Sequence, residues 1–211
     1  MSVLSVDTAA PVVGAAVLGG RSWEQRILRG ADVALAQAMV DLLKGQQVSL
    51  VCVSVGPGAF TSLRVGVAAA LGFAVARGIP VLPINSLQAR ALLVPIGPTL
   101  AILDGRKAKA YAQSFQDSMP MGAGADLPPE QAIQRALETL GAGFFAVGEG
   151  AEVWRAEIQA AGGRISSEPC RSPVVEMAEY AWKHRAQAVA PQAVRLEYLR
   201  EADAKLPTPR A

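Results

Sequence analysis

Hydrophobic positions fall into two rhythms along this 211-residue chain: short β-branched runs cut off by Gly or Pro, and longer stretches at helical spacing. The run 48–55 (VSLVCVSV) is the most strand-like, and Gly56-Pro57-Gly58 ends it. Beyond that turn the spacing predicts a helix running on to Gly78, with Thr61 or Ser62 placed to satisfy free amides in its first turn. Upstream, 2–6 and 12–18 read as strands joined by the turn 7–11 (DTAAP). Gly19-Gly20 then marks a hairpin before a third strand over 21–28. A helix is predicted from Asp32 to Lys44, closed by Gly45.

The helix after the Gly-Pro-Gly turn has no charged side chain between Arg64 and Arg77. At 100° per residue, Leu63, Val67, Leu71 and Val75 form a bulky ridge. Small rows flank it, Ser62-Gly66-Ala70-Ala74 on one side and Ala68-Gly72-Ala76 on the other. Each internal glycine costs roughly 1 kcal/mol against alanine, so close approach by another backbone is expected. In the helix 32–44, Val33, Leu35, Ala36, Met39, Val40, Leu42 and Leu43 cover about half the circumference, more than the ~100° stripe of a surface helix. One reading wedges these helices inside a domain; the other sets their outer sides against a second subunit. On the second, the partner interface is expected at Leu35, Met39, Leu42, Leu63, Arg64, Gly66, Val67, Ala70, Phe73 and Ala74. Enlarging Gly66 or Ala70 would then affect assembly rather than folding.

Further along, 79–84 is a short strand and Asn85-Ser86 caps a helix through Val94. A hairpin spans 100–115 around an Asp104-Gly105 turn. An acidic residue at the tip of a hairpin thus occurs twice, at Asp7 and Asp104, a faint internal duplication into halves 1–98 and 99–211 facing a cleft. The stretch 116–129 reads as a mobile loop. Helices follow over 129–140, 151–161 and 173–188, with a strand at 144–147. The segment 194–201 is a short strand or a docked arm, and 206–211, with two prolines, is expected to be loose.

Composition narrows the chemistry. Net charge is +2 and the basic residues are dispersed, which gives no nucleic-acid footprint. Cys52 and Cys170 are expected to be reduced core thiols rather than a bridge. Asp7 interrupts what would be the apolar part of an export signal, and the apolar stretch 65–76, about 12 residues, is shorter than the ~20 that span a bilayer, so a cytoplasmic protein is expected. The single histidine, His184, lies beside Lys183 and Arg185 and is expected at the solvated surface. One histidine excludes a His-based zinc or iron site, and no G-x-S-x-G elbow exists for a hydrolase triad.

The segment 56–74 (GPGAFTSLRVGVAAALGFA) resembles the central signature of the bacterial TsaB (YeaZ) family. The resemblance continues in order through SVDTA (5–9), IPVLPINSLQA (79–89), AILDGRKAKAYAQSF (101–115), AVGEGA (146–151) and EYLRE (197–201). Ala59 and Ser62 stand where the family usually has Ser and Gly, which removes a hydroxyl and a flexible position from the loop. The resemblance implies an actin-like (ASKHA, ribonuclease H-like) α/β fold of two subdomains. It also implies a non-catalytic subunit that pairs with the catalytic TsaD paralogue in forming N6-threonylcarbamoyladenosine at position 37 of tRNAs that read codons starting with A. A TsaE-type ATPase completes that assembly, tRNA is met through the complex, and a homodimer is expected when the chain is alone.

Two other functions compete. As an actin-like ATPase or sugar kinase, the chain would set Asp7 and Asp104 near a magnesium-bound phosphate. In the TsaB reading Asp7, Thr8, Asp104, Gly148 and Gly150 are a vestigial nucleotide-binding set, no catalytic or metal-binding residue is expected, and ATP binds weakly or only in the complex. A protease, the third reading, lacks both a metal-binding histidine pair and a triad.

Overall fold

The alternation of the first strand sorts its side chains onto two faces of a sheet. In β1 (Ser2–Asp7), Leu4 and Val6 point one way, and Val3, Ser5 and Asp7 the other. The structure is a computed structural model that describes residues 2–27 and 30–199. Strands β2 (Val12–Val17) and β3 (Ser22–Arg26) join β1 as an antiparallel meander, while β4 (Val48–Ser54) and β5 (Val81–Ile84) lie parallel on its other side. The order is β3-β2-β1-β4-β5. Helices α1 (Ala31–Leu43) and α2 (Phe60–Arg77) cover the Leu4–Val6 face, packing Leu35, Met39, Leu42, Val67, Ala70 and Ala74 against it.

The second sheet repeats this plan. A meander of β6 (Pro98–Arg106), β7 (Lys109–Gln116) and β8 (Met119–Pro120) is followed by α4 (Pro129–Leu140). Then come β10 (Phe145–Val147), parallel to β6, and β11 (Arg164–Ile165), parallel to β10. A small strand, β9 (Ala125–Leu127), also pairs with β7. The order β11-β10-β6-β7-β8 is the first sheet's connectivity again. Two such sheets, each a meander extended by parallel strands, make the actin-like fold.

The helices bind the two sheets together by exchange. Helix α3 (Ser86–Ala91) follows β5 of the first sheet yet packs Leu87 and Ala91 on Ala101, Leu103 and Phe115 of the second. Helix α7 (Val174–Lys183) follows the second sheet yet packs Val174, Met177, Ala178 and Ala181 on Val3, Leu50 and Cys52 of the first. Between them, α5 (Glu149–Val153) and α6 (Arg155–Ala160) break at Trp154 what the sequence reads as one helix over 151–161.

Other sequence expectations need correction. The stretch 116–129 is not a loop: it carries β8 and β9, both hydrogen-bonded to β7. No side chain caps α2, whose N-cap is Ala59; the carbonyl of Ser62 instead accepts from Thr8 Oγ1 at 2.7 Å. The cap at Asn85 forms, its Oδ1 accepting from Leu87 N at 2.8 Å and Gln88 N at 3.2 Å. Cys52 is buried, Cys170 half-buried, and both are free thiols. His184 is half-buried, stacked on Tyr180 with ring centroids 3.9 Å apart. The uncharged run 65–76 lies inside a helix of 18 residues that meets the length and apolarity of a membrane span, though one side of it packs on the first sheet. After α7 the chain returns along the first sheet, Val189 bridging Val81, and residues 194–199 dock as an arm; the expectation for 206–211 lies outside the described residues.

The second hairpin does not turn at Asp104-Gly105. A register shift between Asp104 and Arg106 moves the turn to Lys107-Ala108, both at positive φ (52° and 54°). A left-handed conformation costs a non-glycine residue ~1–2 kcal/mol, partly offset by the extra freedom glycine has when unfolded. Ala108→Gly is therefore expected to stabilise the chain by roughly 0.5–1 kcal/mol. A denaturation midpoint that falls instead would contradict this.

Candidate functional site

The duplicated plan brings the ends of β1 and β6, and the turns after β4 and β10, towards one junction. Asp7 closes β1 and is fully buried. Opposite it, α3 carries Arg90, also buried, whose Nη2 and Nη1 donate to Asp7 Oδ2 and Oδ1 at 2.7 and 3.0 Å. A paired fork of this kind is among the strongest neutralising contacts a carboxylate makes. Both Asp7 oxygens are thus engaged by Arg90 within the chain, and the exchange of α3 onto the second sheet is what delivers Arg90 there.

The other members of the expected nucleotide set are also engaged. Thr8 is buried and bonded to Ser62. Asp104, half-buried, accepts from Arg106 N at 2.8 Å. Gly148 and Gly150 are glycines because the β10–α5 turn lies against β6: a Cβ on Gly148 would collide with the Ile102 carbonyl, and one on Gly150 with that carbonyl and the Trp154 ring. Close packing, not an open anion nest, accounts for them. The five residues lie about one junction, each bonded to or packed against other parts of the chain. Among the described residues no cluster of His, Cys, Asp and Glu could hold a metal.

Two residues of this junction escaped the sequence reading. One is Arg90. The other is Glu149, whose Oε2 is buried with no hydrogen-bond partner among the described residues. Burial pushes its carboxyl up to about 7, outweighing the nearby Arg90 guanidinium and hydrogen bonds from the backbone N–H groups of Glu149 and Asp104. The signal that could have found it is a repeated G-x-G: Gly56-Pro57-Gly58 after β4 and Gly148-Glu149-Gly150 after β10.

The two long helices present a different surface. Of the ten expected interface residues, Leu35, Met39, Leu42, Leu63, Gly66, Val67, Ala70 and Ala74 are buried within the chain itself. A Cβ at Gly66 would collide with Thr8 Oγ1, so the partner that this glycine admits is the chain's own first turn. Enlarging Gly66 or Ala70 would therefore damage the fold, contrary to the sequence expectation. Arg64 is exposed and Phe73 half-buried.

What faces outward is the other side of the same helices. On α1 it holds Val33 and Val40, 72% and 58% exposed; on α2 it holds Ala68, Gly72, Ala76 and Val75, the last 57% exposed. Among the described residues nothing lies within 4 Å of a Cβ built on Gly72. Most of the interface positions read from the sequence thus lie on the buried side of these helices, and the exposed apolar residues lie on the other.

Comparison with known proteins agrees with the fold. The family model described as TsaD, tRNA N6-adenosine threonylcarbamoyltransferase, matches residues 18–161. An uncharacterised protein of Mycobacterium tuberculosis is 33% identical over 165 residues, covering 69% of this chain and 76% of that protein. The tRNA threonylcarbamoyladenosine biosynthesis protein TsaB of Haemophilus influenzae is 32% identical over 102 residues, 43% of this chain and 42% of that one. The structure of YeaZ from Pseudomonas aeruginosa superposes with a TM-score of 0.78 at 25% identity, covering 94% of this chain and 99% of its own. With a duplicated actin-like sheet matched over nearly its whole length, and a family match over most of the sequence, this chain belongs to the TsaB (YeaZ) family of tRNA threonylcarbamoyladenosine biosynthesis.

Proposed function

We propose that this chain is a non-catalytic scaffold that pairs, through the outward face of α1 and α2, with a catalytic paralogue of the TsaD type. The complex would form N6-threonylcarbamoyladenosine at position 37 of tRNAs reading codons that start with A. A TsaE-type ATPase completes the assembly, tRNA is bound by the complex in the cytoplasm, and the free chain self-associates through the same face.

The observation that carries the reading is Gly72. A glycine inside an exposed helix costs about 1 kcal/mol against alanine, and none of the described residues comes within 4 Å of a Cβ built on it. Its neighbours on that face are Ala68, Val75 and Ala76, with Val33 and Val40 exposed on the adjacent helix. Apolar area of this kind marks a protein contact. The internal occupation of Asp7 by Arg90 supports a subunit without a nucleotide reaction of its own.

Gly72→Arg separates assembly from folding. The substitution raises helix propensity, so the isolated variant is expected to be as stable as the parent or slightly more so. Burying an arginine in an apolar contact should abolish co-elution with the paralogue, and Val40→Arg should do the same from α1. Unchanged co-elution of both variants would refute the pairing surface.

A further inference from the structure

The outward face of α2 is aliphatic and small along its middle, which supplies close approach but little direction. Aromatic and guanidinium groups gather at its N-terminal end. Phe60 and Tyr198 are each 44% exposed, their rings 5.4 Å apart at 36°. The Arg64 guanidinium lies 3.7 Å over the Phe60 ring, and its Nε donates to Tyr198 Oη at 3.4 Å.

Tyr198 comes from the far end of the chain, and the fold takes some trouble to place it. Val194 and Leu196 anchor the arm against the core under α1 and α2. Glu197 N donates to the Val55 carbonyl at 2.8 Å, and Asn85 Nδ2 donates to Glu197 Oε2 at 2.7 Å. The Glu197 carbonyl sits so close to Gly56 that a Cβ there would collide with it. Leu199 then reaches Gly124 in the second half. The arm is a built strap, and Tyr198 stands on it beside the first turn of α2.

We propose that Phe60, Arg64 and Tyr198 form the specificity-determining end of the partner surface, engaging a carboxylate-bearing helix of the TsaD-type paralogue. This rests on the pairing proposed above. Tyr and Arg are the residue types that dominate binding energy at interfaces, and this face of α2 carries them only here. The charges of α2 are Arg64 and Arg77, both cationic, so the partner segment lying on this helix is acidic, whereas α1 carries the opposite charge at Asp32 and Asp41.

The test measures affinity of the full chain for the paralogue by calorimetry, alongside Gly72→Arg. Arg64→Ala and Tyr198→Ala are each expected to weaken binding by about 10- to 100-fold, and Tyr198→Phe, which keeps the ring, by less than about threefold. Hydrogen exchange at the Glu197 amide reports whether the strap stays docked in each variant. If Gly72→Arg abolishes binding while Arg64→Ala and Tyr198→Ala remain within twofold, this inference falls and the pairing surface stands. If Gly72→Arg also binds normally, the pairing surface itself falls. Loss of self-association with unchanged paralogue affinity would assign Phe60, Arg64 and Tyr198 to a contact between two copies and overturn the proposal.

Discussion

Asp7→Ala is expected to destabilise the chain by about 3–5 kcal/mol, because it takes from the buried Arg90 guanidinium the carboxylate it is hydrogen-bonded to, leaving Glu149 only as a neighbour whose carboxyl burial pushes up to about 7. The cost arises less from the lost attraction than from the unpaired charge left behind. The remaining hydrogen bond of that guanidinium, Nη1 to the Ser86 carbonyl at 3.4 Å, is long and cannot compensate. Removing both charges should therefore cost less than removing one. Asp7→Leu combined with Arg90→Met is expected to recover most of the loss, since apolar pairs of similar volume often replace buried ion pairs without penalty. Urea unfolding at neutral pH reads both variants. A single variant within 1 kcal/mol of the parent would mean that water reaches Arg90, and the junction would then be open rather than closed.

That pair also shows where sequence reading stops. Arg90 lies in a short helix between apolar neighbours, where periodicity cannot tell a buried arginine from a solvated one; only its partner, 83 residues away, decides. Helix α4 was legible end to end: Pro129 opens it, Gly141 follows it, and its polar residues leave Ala132, Ile133 and Ala136 as a clear inner face. Helix α2 was legible as a helix but not as a surface. With apolar or small residues all round, nothing in its sequence marks which row meets the sheet, and of the positions named for a partner the bulky Leu63 and Val67 and the small Gly66, Ala70 and Ala74 are all buried within the chain. The Asp-Gly signal at 104–105 failed for a local reason, since a bulge in β6 carries the turn three residues further on. The two hairpins were legible because alternation, which the sequence displays directly, sets them; the third strand of the second meander, β8, is only two residues long and shows no such alternation.

Glu149→Gln is expected to stabilise the chain at pH 8 by about 2–3 kcal/mol, and the sign follows from its titration. The buried carboxyl releases its proton near 7, whereas in the unfolded chain it does so at the ordinary value of 4.5. Folding therefore binds a proton in that window. Stability is full below about pH 4.5 and declines as the pH rises through 7, by about 1.4 kcal/mol for each unit between the two values. Glutamine cannot ionise, so the variant's stability should be flat in that range apart from the contributions of other groups. Its amide oxygen can keep the hydrogen bond from Asp104 N–H, while its NH2 inherits the unpartnered position of Oε2, which trims the gain. Denaturation midpoints of parent and variant should converge near pH 4.5, separate up to about pH 7 and run nearly parallel above it. Parallel profiles would show that Glu149 ionises as freely folded as unfolded. The joint between the two sheets, with Asp7 and Arg90 on one side and Glu149 on the other, would then have to be wet rather than sealed.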